Sequence, residues 1–260
     1  MTINITDNST RVIERGVYHF GLPYYPHITM SDLKNIIAFI RYEKSYSRQT
    51  EIVCENENIL AAINNAVSNP NNIESILLPP KNEFIYHATD IKAAQKILSE
   101  GKLLSAVKVY GKTGEELSFA KRDSLWNDPA DYFEYIMFCW GDDMTGDYVV
   151  LSERASVEDD LHTGNFDAGI RFYFRYEDII QHSGHVFDGY HPIKVKDEIV
   201  LTDYLYACIV PEQYKGELKD YAFTKLASKV HYLSQKGIRL SDWNVKVHDF
   251  ICKLSYHEVG

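Results

Sequence analysis

The tract Phe84-Ile85-Tyr86-His87-Ala88-Thr89-Asp90, with the run that follows it, constrains this chain more than any other feature. Its residues are apolar and β-prone, Pro79-Pro80-Lys81-Asn82 supplies turn chemistry before it, and Asp90 is placed to cap a following helix. From Asp90 the pattern changes. Ile91, Ala94, Ile97 and Leu98 recur at helical spacing, and Gly101 stands where a C-terminal cap glycine belongs. The reading is a strand that delivers a histidine and a threonine at its end, a tight turn, then a helix. Far downstream, Ile193-Lys194-Val195 and Ile199-Val200-Leu201 bracket Asp197 and Glu198, and Tyr204 to Pro211 reads as the next strand. Glu198 is thus expected to begin or end a strand rather than ride on a helix. A histidine and a glutamate on separate strands can grip a ligand together.

The Tyr86-His87-Ala88-Thr89 tract, the helix ending in Ser99-Glu100-Gly101-Lys102-Leu103-Leu104 and the late Asp197-Glu198-Ile199-Val200-Leu201 strand together resemble the ADP-ribosyltransferase fold. The nearest likeness is to the DarT-type toxins that modify nucleic-acid bases, and a more distant one is to the RNA 2′-phosphotransferases. The middle of the chain fits the same order. Lys121-Arg122 precedes Asp131-Tyr132-Phe133-Glu134-Tyr135-Ile136-Met137-Phe138, and Gly169 to Phe174 reads as a strand before a variable loop and Glu198. The likeness covers roughly residues 82 to 212. It implies an α+β protein with an ADP-ribosyltransferase-like split β-sheet core and flanking helices, using NAD as co-substrate. In such families a strand-end histidine holds the nicotinamide ribose and a late glutamate orients it or polarises the attacking group; these roles fall here on His87 and Glu198. Two departures stand out. Cys139-Trp140-Gly141-Asp142-Asp143 replaces the Asn-Pro-Arg-like segment of many DarT proteins, and Lys196 occupies the place, two before Glu198, where arginine-modifying toxins carry an acidic partner.

The chemistry that such a site needs is independent of the family. Cleaving the N-glycosidic bond of NAD builds oxocarbenium character on the ribose, so a carboxylate beside it stabilises the transition state. His87, with Thr89 beside it, contributes positioning, and positioning is a large part of any bimolecular reaction. Arg122 or Lys121 can pair with the pyrophosphate. Arg122 is favoured for its bidentate geometry and is counted with Glu198 among the catalytic residues. Tyr86 joins the cofactor-binding set with its neighbour His87, and Tyr132, Tyr135 or Tyr173 can offer an aromatic face to nicotinamide. Alternate aromatic residues in a strand more often pack a core face.

No apolar run approaches the roughly 20 residues that cross a bilayer, and Met1 to Asp7 has neither the basic start nor the apolar stretch of a secretory signal. Cys54, Cys139, Cys208 and Cys252 are isolated, without the paired spacing of a zinc site or the density of a disulfide framework, so no metal is expected and a cytoplasmic protein is. The net charge of −10 opposes a broad nucleic-acid surface. A local basic track through Lys102, Lys108, Lys112, Lys121 and Arg122 would have to serve instead, with an unstacked base as target.

Three segments are expected. Residues 1–78 form an α+β extension or small domain, in which Thr29 or Ser31 caps a helix carrying Leu33, Ile36, Ile37 and Ile40. Within it Glu51 to Cys54 is a short strand, and Ile59, Leu60, Ile63 and Val67 mark a second helix. Residues 79–212 form the catalytic core. Residues 213–260 form two helices packed on it, one striped by Leu218, Tyr221, Ala222, Leu226, Val230 and Leu233, the other capped by Ser241 and carrying Trp243, Val247, Phe250, Ile251 and Leu254. The whole predicts a mono-ADP-ribosyltransferase acting on a nucleobase of DNA or RNA as a bacterial toxin or anti-phage effector, held in check by an antitoxin. A protein-directed transferase, an NAD glycohydrolase, an RNA phosphotransferase and a non-catalytic binding protein are the alternatives.

Overall fold

The computed structural model describes residues 1–14, 16–74, 76, 78–120, 129–152, 164, 166–218 and 225–258. The chain is mixed α and β and divides into two compact units, one comprising Met1–Pro79, Thr113–Phe133 and Val186–Lys194, the other Pro80–Lys112, Glu134–His185 and Val195–Gly260. No described helix is long and apolar enough to cross a membrane.

The first unit holds a four-stranded sheet of order β2-β3-β1-β4, from β1 (Thr2–Thr6), β2 (Arg11–Glu14), β3 (Val17–Gly21) and β4 (Glu51–Val53). Strands β3 and β4 both run parallel to β1, which requires a crossover, and helix α1 (Met30–Ser45) provides it. The helix starts where it does because Thr29 and Asp32 form a capping box. The Thr29 hydroxyl accepts from Asp32 N at 3.2 Å, and Asp32 Oδ2 accepts from Thr29 N at 2.8 Å. Alternating Ile3, Ile5, Tyr18 and Phe20 meet Leu33, Ile36, Ile37 and Phe39 of α1 and Ile59 and Ile63 of α2 (Glu57–Ser68) in one apolar core. A short helix, α3 (Pro70–Glu74), follows.

Residues 186–194 belong to this unit for a physical reason. Gly189 has φ +74, and a Cβ there would stand 2.0 Å from the Asn35 carbonyl oxygen, so only glycine lets the segment lie against α1. Beside it, the fully buried Lys194 ammonium is 3.0 Å from Asp188 Oδ2 and 3.7 Å from the ring centroids of both Tyr42 and Tyr132. Burial would push the Asp188 carboxyl up, but His191 and Lys194 hold it well below the usual range.

The second unit is built on a five-stranded sheet of order β14-β13-β9-β5-β8. In chain order its leading elements are β5 (Phe84–Thr89), α4 (Ile91–Glu100), β6 (Lys102–Leu104), β7 (Tyr135–Met137), β8 (Cys139–Trp140) and β9 (Ile170–Arg175). There follow β10 (His185–Val186), β11 (Lys194–Lys196), β12 (Glu198–Val200), β13 (Leu205–Pro211) and β14 (Val230–Leu233). Strand β5 pairs antiparallel with β9, β9 with β13, and β13 runs parallel to β14. Strands β12 and β6 form a separate antiparallel pair, and β10, β11 and β7 a short three-stranded sheet. Phe84, Tyr86, Tyr173, Ala207 and Ile209 meet Leu240, Trp243, Val247 and Ile251 of the C-terminal helix (Leu240–Glu258) in the core.

Two expectations at the C-terminal end need correction. Val230–Leu233 is a strand, not the end of a helix, because its β-branched and aromatic residues complete the ladder along Cys208–Pro211, whose backbone groups need partners. Part of the proposed stripe, including Tyr221 and Ala222, lies outside the described residues. The last helix starts at Leu240, with Trp243 N donating to Arg239 O at 2.8 Å, so Ser241 sits within its first turn instead of capping it. The unit boundaries also differ from the expected segments. Residues 113–133 and 186–194 go with the first unit, and the C-terminal helix is part of the second.

Candidate functional site

His87 is one residue from the middle of β5, opposite Phe172 of β9. The strand forms because both neighbours in the ladder are buried and apolar, and it ends where Asp90 accepts from Ala93 N at 2.9 Å to open α4. Gly101 closes that helix at φ +66. The imidazole is half-buried, and its Nδ1 lies 3.0 Å from the Met137 carbonyl of β7. A carbonyl can only accept, so Nδ1 carries the proton and Nε2 keeps a lone pair. Burial pulls the ring below its usual titration range, against the opposing pull of the Met137 carbonyl. His87 is therefore a neutral hydrogen-bond acceptor at its free nitrogen, suited to a hydroxyl.

Glu198 opens β12 and lies opposite Leu104 of β6. The residue before it decides its direction. Asp197 has φ +66, a left-handed conformation that aspartate tolerates better than most residues, and this breaks the alternation that would put Lys196 and Glu198 on one face. Both backbone groups of Asp197 are held. Its N–H donates to Glu134 O at 3.0 Å, and its carbonyl accepts from Ser105 N at 2.8 Å. The Glu198 carboxylate meets the Lys102 ammonium at 2.9 and 3.0 Å, a diagonal cross-strand pair in which both side chains are nearly half exposed. One residue past Leu104, the Ser105 hydroxyl is buried and has no hydrogen-bond partner.

Strand β7 ties the two halves together. The Met137 carbonyl orients His87 and the Glu134 carbonyl fixes the peptide before Glu198. Three residues of extended chain separate those carbonyls by about 10 Å. No hydrogen bond joins His87 to Glu198 among the described residues, and each stands in its own sheet.

The other expected site residues have different fates. Thr89 ends β5 opposite Ile170 and is partly exposed. Lys121 and Arg122 lie outside the described residues. Tyr132 is fully buried in the first unit, with the Lys194 ammonium over its ring and Tyr42 and His191 edge-on to it; it begins no strand, since 130–134 is a 3-10 turn. Tyr135 is buried in β7. Tyr86 is buried too, stacked on Tyr173 at 5.4 Å with the Arg171 guanidinium 4.6 Å from its ring centroid. These three rings, and Tyr173 with them, are packed as core, so none presents a face to nicotinamide in this conformation.

Tyr86 and Tyr173 belong to a buried polar cluster that the sequence gave no hint of. Arg171 and Asp147 are both fully buried and joined by Nε to Oδ1 at 3.2 Å and Nη2 to Oδ2 at 2.6 Å. Nη1 donates to Tyr173 Oη and to Asn244 Oδ1, each at 2.9 Å, and Tyr86 Oη donates to the Asp143 carbonyl at 3.0 Å. Burial alone would lower the guanidinium's proton affinity, yet Asp147 beside it holds it well above the usual range. This cluster holds the Thr145–Ser152 helix and the C-terminal helix against the sheet that carries His87. Lys102 and Ser105, which sequence reasoning did not place in the site, become visible only when β6 is paired with β12. No protein-family model matches the chain, and neither does any curated protein or solved structure.

Proposed function

We propose that this chain is an NAD-dependent ADP-ribosyltransferase that modifies a macromolecule, with a nucleobase of DNA or RNA as the favoured acceptor. The observation that supports it best is the pair of side chains held from one strand. A neutral histidine with a free acceptor nitrogen and a glutamate on a kinked strand entry are both anchored to β7. His87 Nε2 accepts from a ribose hydroxyl and fixes the sugar. Glu198 lies along the ribose and offsets the positive charge that develops as the bond to nicotinamide breaks, the bonding electrons leaving with nicotinamide. Ser105, whose hydroxyl is buried without a partner, is a further donor on the Glu198 side. Lys102 holds both carboxylate oxygens in the ligand-free chain and is displaced toward a phosphate when the sugar takes its place.

A role as a toxin or anti-phage effector, restrained by an antitoxin, accompanies this reading through the resemblance to DarT-type toxins. The non-catalytic alternative has one observation in its favour, since a half-exposed Lys102–Glu198 pair is also an ordinary surface ion pair. Incubation with labelled NAD and separate pools of DNA, RNA and cell protein decides between them. The native chain is expected to label one pool, and Glu198→Ala to lose about 10²–10³-fold in rate, the typical cost of removing one transition-state contact. Absence of both label transfer and nicotinamide release would refute the enzyme reading. Label in the protein pool would redirect it to a protein acceptor, and release without label to a glycohydrolase.

A further inference from the structure

A second site lies at the far edge of the five-stranded sheet. The residues just before β9, just after β13 and just after β14 enclose a cavity of about 360 Å³. The sheet alternation separates it from His87. Phe166 at its wall packs with the cluster that includes Tyr86 and Ala88, whereas His87 lies between those two residues and faces the other way. The cavity has the volume of a small-molecule pocket.

Its walls carry an unmet demand. Gln235 is 3% exposed, and its Nε2 amide group is buried with no hydrogen-bond partner. A buried donor without an acceptor is costly, and a ligand acceptor would satisfy it. Asp167 lies across the cavity with Oδ1 taking a hydrogen bond from Gln213 Nε2 at 2.9 Å, which leaves Oδ2 free to accept. Lys236 stands exposed at the rim without an ion-pair partner among the described residues. The backbone is built for a close approach. Gly164 and Gly237 have φ +78 and +71, and a Cβ on Gly164 would stand 2.8 Å from the Gly237 carbonyl carbon.

We infer that this cavity binds a nucleotide through an amino-bearing base. The Gln235 amide donates to a carbonyl or ring nitrogen, Asp167 accepts from the exocyclic amino group, Phe166 supplies apolar contact, and Lys236 meets the phosphate. Adenine, guanine and cytosine offer both an acceptor and an amino donor, while uracil has no amino group. The inference stands independently of the proposed transfer reaction, although a chain that modifies nucleic acid would have use for such a subsite.

Calorimetric titration of the full chain with AMP, GMP, CMP and UMP tests it, with ribose 5-phosphate and inorganic phosphate as controls. At least one amino-bearing nucleotide is expected to bind about tenfold more tightly than UMP and ribose 5-phosphate, the worth of one good hydrogen bond. Gln235→Leu is expected to cost a similar factor. It replaces an unpartnered amide by an apolar group of similar size, so folding is not at risk. Lys236→Ala is expected to weaken binding at low salt and much less at high salt. Glu198→Ala should bind as the native chain does, so failure of the transferase reading leaves this result intact. Equal binding of all nucleotides and ribose 5-phosphate, no binding at all, or binding indifferent to Gln235→Leu would each overturn the assignment.

Discussion

Removing the Asp147 carboxylate is predicted to destabilise the second unit severely. Arg171 and Asp147 have no exposed side-chain surface, and the guanidinium makes four hydrogen bonds, two of them to this carboxylate. Asp147→Ala leaves a full positive charge in the core with only Tyr173 and Asn244 as partners. Breaking a buried pair by deleting one member costs about 3–5 kcal/mol. A domain's whole stability is about 5–15 kcal/mol, so the loss approaches the limit of folding. With a urea dependence of about 2 kcal/mol per molar, the midpoint should fall by roughly 1.5–2.5 M. The assay is urea unfolding followed by far-UV dichroism and by tryptophan emission, Trp140 and Trp243 both belonging to this unit. The double variant Arg171→Met with Asp147→Leu removes both charges together and should recover most of the loss, because pairs replaced by apolar groups of similar volume are often neutral. A single-variant loss below about 1 kcal/mol, or a double variant no more stable than the single, would refute the claim that the pair neutralises an otherwise buried charge.

Other outcomes follow from the same structure. His87 has a folded-state proton affinity below the ordinary 6.5, so the unfolded chain binds more protons; its contribution to stability is complete above that value and is lost as pH falls below 6.5 through the folded pKa. Unfolding midpoints of native and His87→Gln chains should therefore converge on acidification, and nitrogen NMR should find the proton on Nδ1; a proton on Nε2 would contradict the Met137 hydrogen bond. Gly189→Ala combines a left-handed φ with a Cβ placed against the Asn35 carbonyl, and should cost the first unit more than the about 1–3 kcal/mol of backbone strain alone; a thermal melt unchanged from native would refute the close packing. Lys102→Met breaks a half-exposed pair and should change the urea midpoint by less than about 1 kcal/mol equivalent. A large loss there would mean that Lys102 is structural and not a movable partner of Glu198.

The departures from sequence-based expectation have one pattern. Tyr132 reads as a strand aromatic, but its ring is fixed by Lys194, some sixty residues later, and the two share a unit with Tyr42 near the N-terminus. The stripe from Leu218 to Leu233 has helical spacing, yet its last four residues are taken by the open edge of β13. In both cases a partner distant in sequence outweighs the local pattern.

What the sequence by itself determined is local. Asp90 and Gly101 bound α4, Thr29 opens α1, and β5, β9 and β13 follow from β-prone runs between turns, because caps and periodicity involve residues only a few places apart. The positions of His87 at a strand end and Glu198 at a strand entry were legible for the same reason. Tertiary structure alone decided the rest. It set Lys102 on Glu198 across 96 residues, turned Asp197 left-handed between two distant carbonyl and amide anchors, buried Tyr86 under Arg171, and left the Gln235 amide unpartnered in a cavity. Register, burial and pairing of charges are properties of surfaces that meet only when the chain has folded, and no local pattern of residue types specifies them.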